Sequence, residues 1–193
     1  MRVVVAVTGA SGAVYARQVL EGLVAADVER IGLIVSRRGE EVAEWERVAL
    51  PTDGHNERGG RIERFDVDDM FASPASGSAR WDAMVIVPCS MGCVGRIAAG
   101  VSGDLIARAA DVMLKEGRTL IVVPRETPMN LIHLRNLVTL AEAGAVVMPA
   151  SPSFYSHPDS LEAACRTVTE RILARLGVDS SRYEWAESVK SEK

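Results

Sequence analysis

Residues 108–128, RAADVMLKEGRTLIVVPRETP, constrain the fold more than any other stretch of this chain. A helical pattern stops at Gly117, a wholly apolar run follows from Thr119 to Pro124, and a loop opens at once on Arg125 and Glu126. A run that is apolar at every position is buried on both faces, as strands are in a parallel sheet covered by helices. Such sheets bind ligands beyond the carboxyl ends of their strands, so Arg125 and Glu126 are expected at a ligand crevice. In the preceding helix, Arg108, Asp111 and Lys115 fall at i, i+3 and i+7 on one face, and Leu105, Ala109 and Val112 form the apolar face. Arg108, Lys115 and Arg125 are therefore expected to form a cationic wall with one acid, Glu126, set into it. The same spacing also fits solvated helix-end charges joined in surface ion pairs.

The pattern recurs along the chain. RVVVAVT at 2–8, Ile31–Val35, AMVIVP at 83–88 and Ala145–Met148 are further apolar runs, and Arg61–Val67 reads as a short strand. Helical patterns stand between them: after Gly12, over 39–48, and over 130–144 with Leu131, Leu134, Leu137 and Ala141 expected inward. A last one covers 160–176, with Leu161, Cys165, Val168, Ile172 and Leu176 expected inward. Residues 51–60 read as a polar loop. Alternating strands and helices predict an α/β fold with a mainly parallel sheet. With 193 residues, 48% of them hydrophobic, one domain over residues 1–176 has enough material for a core. The tail, 177–193, is polar apart from Tyr183 and Trp185, and is expected to dock on the body or on a neighbouring subunit.

Charge and cysteine usage exclude several classes. A net charge of −4, with no basic run longer than Arg37-Arg38, argues against nucleic acid or an acidic membrane as partner. The first apolar run, Val3–Val7, is too short for a signal-peptide core or a membrane span. Three cysteines, Cys89, Cys93 and Cys165, without C-x-x-C spacing indicate neither a disulfide framework nor a zinc site. A reducing, cytoplasmic setting is expected, with no metal site.

The strand ends carry the chemistry. Gly9-Ala10-Ser11-Gly12 follows the first strand and opens a helix, an arrangement that turns backbone N–H groups toward an anion or the edge of a ring. With Tyr15 where a third glycine would stand, it departs from the dinucleotide pattern G-x-G-x-x-G, and a plain tight turn fits as well. The second strand ends in Ser36-Arg37-Arg38 rather than in the acid that holds an NAD ribose. The arginines leave an NADP reading open, although no Tyr-x-x-x-Lys pair accompanies it. Ala72–Ser78 is a hydroxyl-rich loop, Cys89-Ser90-Met91-Gly92 follows the strand at 83–88, and the run after Met148 brings Tyr155 to the same edge. Hydroxyls and glycines at three strand ends, without a metal-ligand set, suit flavin mononucleotide (FMN) or another phosphate-bearing ring. His133 is a candidate general base or a structural helix residue. Glu46 reads as an ordinary exposed charge.

TGASGAVYA, the Ser36 strand end, PASGS, PCSMG, the run DLIARAADVMLKEGRTLIVVPRETPMNLIHLRNL and GAVVMPASPSFY are colinear with the UbiX-type flavin prenyltransferases, which this chain resembles over about residues 1–176. The resemblance implies a Rossmann-like three-layer α/β/α sandwich that joins a dimethylallyl group from a dimethylallyl phosphate to reduced FMN. The product would be prenylated FMN, used by UbiD-type decarboxylases. It further implies flavin contacts from Gly9, Ala10, Ser11 and Gly12, with Ser11 near the reactive N5, and from Ser36, Ser90, Met91 and Arg125. Phosphate binding would fall to Lys115, Arg125, Tyr155 and Arg171, with Arg108 close by. Glu126 would be the catalytic glutamate, Glu46 a glutamate entering from an adjoining subunit, and the assembly a homododecamer. Ala75, Ser76 and Gly77 would lie against the prenyl group, and Met70 stands where some relatives carry a tryptophan.

The residues accommodate that chemistry. Departure of an allylic phosphate needs cations and hydrogen-bond donors at the leaving oxygen, which Lys115, Arg125, Arg171 and Tyr155 supply. With no acidic metal-binding pair in sight, a metal-independent reaction is expected. Glu126 among those cations is suited to moving a proton. Two other readings remain: an FMN-dependent cysteine-decarboxylase-like enzyme, which relies on a catalytic histidine and an Asn-containing loop where this chain has PCSMG, and a non-catalytic flavin carrier.

Overall fold

The computed structural model describes residues 1–26, 28–51, 54–55 and 61–178. In chain order the elements are β1 (Arg2–Val7), α1 (Ala13–Ala25), β2 (Arg30–Val35), α2 (Arg37–Trp45), β3 (Gly54–His55), β4 (Arg61–Phe65), β5 (Ala83–Cys89), α3 (Met91–Ala98), α4 (Leu105–Lys115), β6 (Thr119–Pro124), α5 (Leu131–Glu142), β7 (Val146–Val147) and α6 (Leu161–Arg175). They form one sheet in the order β3-β4-β2-β1-β5-β6-β7. All neighbours are parallel except the edge pair β3–β4, where Gly54 and His55 stand opposite Ile62 and Arg61. The rest of the expected 51–60 loop lies largely outside the described residues, as do Tyr183 and Trp185 of the tail.

Strand side chains alternate between two cores. Val3, Val5 and Val7 of β1 pack with α1 and α6, while Val4 and Ala6 pack with α3 and α4 on the opposite face. The apolar runs are continuous because both faces are covered: every residue of β5 is buried. The α1–α6 contact also encloses polar groups. Gln18 donates through Nε2 to the Glu162 carbonyl at 3.0 Å and accepts from Thr169 Oγ1 at 3.1 Å, so neither buried side chain is left unpaired.

Two helices bury less than their sequence pattern predicts. In α5, Leu140 is buried, but Leu131 and Leu134 are 60% and 48% exposed and Ala141 faces solvent. The physical reason is position: α5 covers the sheet edge, where β7 is two residues long and only half-buried, so one side of the helix has nothing to cover. Leu161, in the first turn of α6, is likewise 76% exposed rather than inward. No helix among the described residues is long and apolar enough to cross a membrane.

From β1 the chain moves outward through β2 to β4, and from β5 it moves the other way through β6 to β7. The winding therefore reverses between β1 and β5, and the carboxyl ends of those two strands open a crevice.

Candidate active site

Thr8 closes the floor of the crevice. Its hydroxyl donates to the Pro88 carbonyl at 3.0 Å and accepts from Ser90 N at 2.7 Å, joining the ends of β1 and β5 while itself buried. Ser90 then N-caps α3, accepting from Cys93 N at 3.4 Å, and Ser36 N-caps α2, accepting from Gly39 N at 3.0 Å. Each hydroxyl uses an acceptor lone pair in its cap and retains its O–H to donate. Met91 and Ala10 are buried. Ser11 is exposed at the tip of the turn.

The third wall comes from β6. Arg125 N donates to the Cys89 carbonyl at 3.2 Å, and its Nε donates to the Ser11 carbonyl at 3.2 Å. One arginine thus ties the ends of β5 and β6 to the Gly9–Gly12 turn and keeps the rest of its planar fork for an anion. Beside it, Glu126 is half-buried and accepts from Thr127 N at 3.0 Å.

The amino terminus of α1 holds an unexpected anion. Gly12, at φ 114°, occupies the N-cap position with no side chain to cap the helix. Glu46, from the carboxyl end of α2, takes that role: its carboxylate accepts from Gly12 N at 2.9 and 3.1 Å and from Ala13 N at 2.8 Å. Two amides and the positive end of the helix dipole hold it there. Glu46 is therefore not an ordinary exposed charge: within its own chain its carboxylate caps the start of α1. The α1 terminus is thus occupied by a carboxylate of its own chain.

Behind the turn, Tyr15 is buried, and burial, then Cys165, pushes its phenol far above the usual tyrosine range. The hydrogen bond with the neighbouring Cys93 thiol, and then burial, raise Cys89, keeping it a thiol. Among the described residues no group of three or more His, Cys, Asp or Glu is placed to hold a metal ion. His133 closes a capping box with Asn130 at the start of α5, which gives it a structural role.

The predicted cationic wall does not form within one chain. α4 runs antiparallel to β6, so Lys115 lies at the amino end of that strand and Arg125 at its carboxyl end, about 17 Å of strand apart. Lys115 pairs with Glu116 at 2.5 Å, and Arg108 pairs with Asp111 at 2.8 Å while donating to the Ala75 carbonyl at 3.1 Å. These cations belong to a second patch, on the flank of α4, against which the loop of Ala75, Ser76 and Gly77 is laid. Met70, 40% exposed, stands beside a fully exposed Phe71 and is not enclosed by its own chain. A third patch lies on α6: Ser153 N donates to Thr167 Oγ1 at 2.9 Å, which docks the loop bearing Tyr155 on the helix face that Thr167 shares with Arg171 one turn later. Sequence reasoning missed Thr8 and Arg118. A polar residue ending an apolar strand and a charge directly after the Gly117 stop were the available signals.

Comparison with known proteins gives this geometry a context. Residues 1–175 match the family described as Flavoprotein. The chain is 40% identical over 184 residues to the flavin prenyltransferase UbiX of Methanocaldococcus jannaschii, an alignment covering 95% of this chain and 97% of the relative. The chain belongs to the UbiX-type flavoproteins. The fold of this family is retained in detail: the crystal structure of AnUbiX (PadA1) in complex with FMN and dimethylallyl pyrophosphate superposes with a TM-score of 0.84 at 39% identity, over 95% of this chain and 96% of that one. A dodecameric FMN-dependent UbiX-like decarboxylase from Escherichia coli O157:H7 superposes with a TM-score of 0.85 at 34% identity, over 96% and 99% of the two chains.

Proposed function

We propose that this protein is a flavin prenyltransferase that joins a dimethylallyl group, taken from a dimethylallyl phosphate, to N5 and C6 of reduced FMN, giving prenylated FMN for a UbiD-type decarboxylase. The observation that carries the reading is the crevice at the β1/β5 reversal, where Arg125 ties the ends of β5 and β6 to the turn bearing Ser11, with Ser36 and Ser90 at the ends of β2 and β5. Its donor set of hydroxyls, backbone amides and one planar cation fits a phosphate-bearing ring. Reduced FMN supplies the electron-rich ring that the allyl unit alkylates. Ser11 lies at the ring edge, Ser36 and Ser90 hold the flavin loops, and Arg125 orients and neutralises phosphate. Glu126, next to Arg125, moves a proton between flavin ring and departing phosphate.

The remaining phosphate ligands lie on the α4 flank, with Arg108 and Lys115, and on α6, with Tyr155 and Arg171. Lys115 lies a strand's length from Arg125 within one chain, so the complete centre is built where copies meet, in a homododecamer in the cytoplasm. The uncovered side of α5, with Leu131, Ile132, Leu134 and Val138 all exposed, supports self-association.

The test is anaerobic incubation of purified protein with reduced FMN and dimethylallyl monophosphate or diphosphate, with and without a metal chelator, followed by mass analysis of the released flavin. A flavin heavier by one five-carbon unit, formed equally fast with chelator, is expected. Tightly bound but unmodified FMN with both donors would refute the assignment.

A further inference from the structure

Arg118 has no part in the chemistry described so far, yet it holds the loop on which the prenyl subsite depends. It follows the Gly117 stop of α4, and its Nη2 donates to the Gly77 carbonyl at 2.8 Å and lies 3.6 Å from Glu116 Oε2. Glu116 in turn pairs with Lys115 through Oε1. The Glu116 carboxylate is packed directly on Gly77: a Cβ built there would come within 2.4 Å of Glu116 Oε1, so a larger residue would require that carboxylate to shift. On either side of Gly77, the Ser76 and Ser78 hydroxyls are 2.9 Å apart and both residues face solvent. Two more contacts fasten the loop upstream: Arg108 Nε to the Ala75 carbonyl at 3.1 Å and Trp81 Nε1 to Ser73 Oγ at 3.2 Å.

Stability alone does not account for an arginine at this place. Arg118 Nη1 is buried and has no hydrogen-bond acceptor among the described residues, which makes the side chain costly to keep. What the guanidinium provides is a rigid fork: one group that reaches the loop backbone and the Glu116 carboxylate together, which a lysine ammonium on a flexible stem does less well.

We propose that Arg118 is a positioning residue for the dimethylallyl phosphate subsite, acting through the Ser76–Ser78 loop by clamping the Gly77 carbonyl against Glu116 and thereby fixing the loop relative to Lys115. The inference rests on the prenyltransferase reading above, in which Ala75, Ser76 and Gly77 lie against the prenyl group and Lys115 meets phosphate. Because Arg118 lies at the amino end of β6 and the flavin crevice at the carboxyl ends, the clamp governs the allyl substrate and leaves FMN binding alone.

The test uses the intact protein with Arg118→Gln, Arg118→Lys and Glu116→Ala. Arg118→Gln is expected to raise KM for dimethylallyl phosphate by about tenfold or more, with kcat and the FMN dissociation constant each held to within about twofold. Arg118→Lys, which keeps the charge but not the fork, recovers only part of that KM. Glu116→Ala keeps Arg118 but removes the carboxylate against which the loop is clamped, and shows the same KM-selective defect, which keeps the test decisive if Arg118→Gln does not fold. Faster amide hydrogen exchange at Ser76–Ala79 should accompany both defects. An unchanged KM in whichever variants fold, or a fall in FMN affinity in step with turnover, would overturn the proposal. Failure of the wild type to prenylate FMN would refute the functional reading instead, and the exchange measurement would still report whether Arg118 holds the loop.

Discussion

The crevice at the β1/β5 reversal and the flank of α4 both collect cations and hydroxyls, but they are built differently. In the crevice, side chains are fixed to the backbone of strand ends: Arg125 to the Ser11 carbonyl, Thr8 to Pro88 and Ser90, Glu46 to the amides of Gly12 and Ala13. On the flank, Arg108 and Arg118 grip the carbonyls of one loop, and Lys115 is held by the neighbouring Glu116. A rigid ring system needs donors that do not move, and strand ends in a buried sheet provide them. A small phosphate can be met by helix-borne cations brought up from another copy of the chain. The strand-length separation between Lys115 and Arg125 makes this division a matter of geometry.

The largest expected effect comes from breaking the crevice. Arg125→Ala removes both the tie to Ser11 and the guanidinium, and should lower kcat/KM by roughly 1,000-fold while weakening FMN binding, as followed by flavin fluorescence and product mass. Glu126→Gln leaves the crevice standing and removes only a proton carrier, so turnover should fall about 100-fold with FMN affinity retained. If FMN affinity fell in parallel, the crevice rather than proton transfer would be its role.

Lys115→Ala addresses the flank and should raise KM for dimethylallyl phosphate about tenfold without touching FMN binding. Mixing unfolded Arg125→Ala and Lys115→Ala chains and refolding them together sharpens the comparison further. Part of the lost activity returns if the two patches act across copies, because some mixed centres then carry an intact Arg125 and an intact Lys115. No recovery beyond the two parents would mean that both residues serve the same chain's site.

The layered parallel sheet was legible because β1, β2, β5 and β6 are apolar at nearly every position, a pattern that only strands buried on both faces produce. Arg125 was legible for the same reason, since the end of such a strand fixes the place of the next residue. The joint wall of Arg108, Lys115 and Arg125 was not, because spacing within a helix reports which residues share a face and nothing about which end of the sheet that face reaches. The capping role of Glu46 within its own chain was not legible because its partners are backbone amides 33 and 34 residues away, which carry no residue-type signal. The pattern of α5 is as apolar as that of a core helix, yet Leu131 and Leu134 face outward. Periodicity identifies an apolar face without saying whether the covering surface belongs to the same chain.

The smallest expected effect separates the two regions by what holds them. Thr8→Val removes a neutral buried contact and leaves Ser90 N without its acceptor, a loss of about 1–3 kcal/mol that should not vary with pH or salt. The flank is held by charge. The Lys115 hydrogen bond, reinforced by its charge and that of Arg118, holds the Glu116 carboxyl below its ordinary value of 4.5. A carboxylate whose folded value is depressed contributes stability that is present above the unfolded value and lost as pH falls through the folded one. Glu116→Gln should therefore cost a little thermal stability near pH 7, less in high salt because the pair is exposed, and progressively nothing as pH drops below 4.5. Parallel melting curves of Thr8→Val and Glu116→Gln against pH check this directly. A Glu116→Gln defect that persists in acid would show that its packing against Gly77, and not its charge, is what fixes the loop.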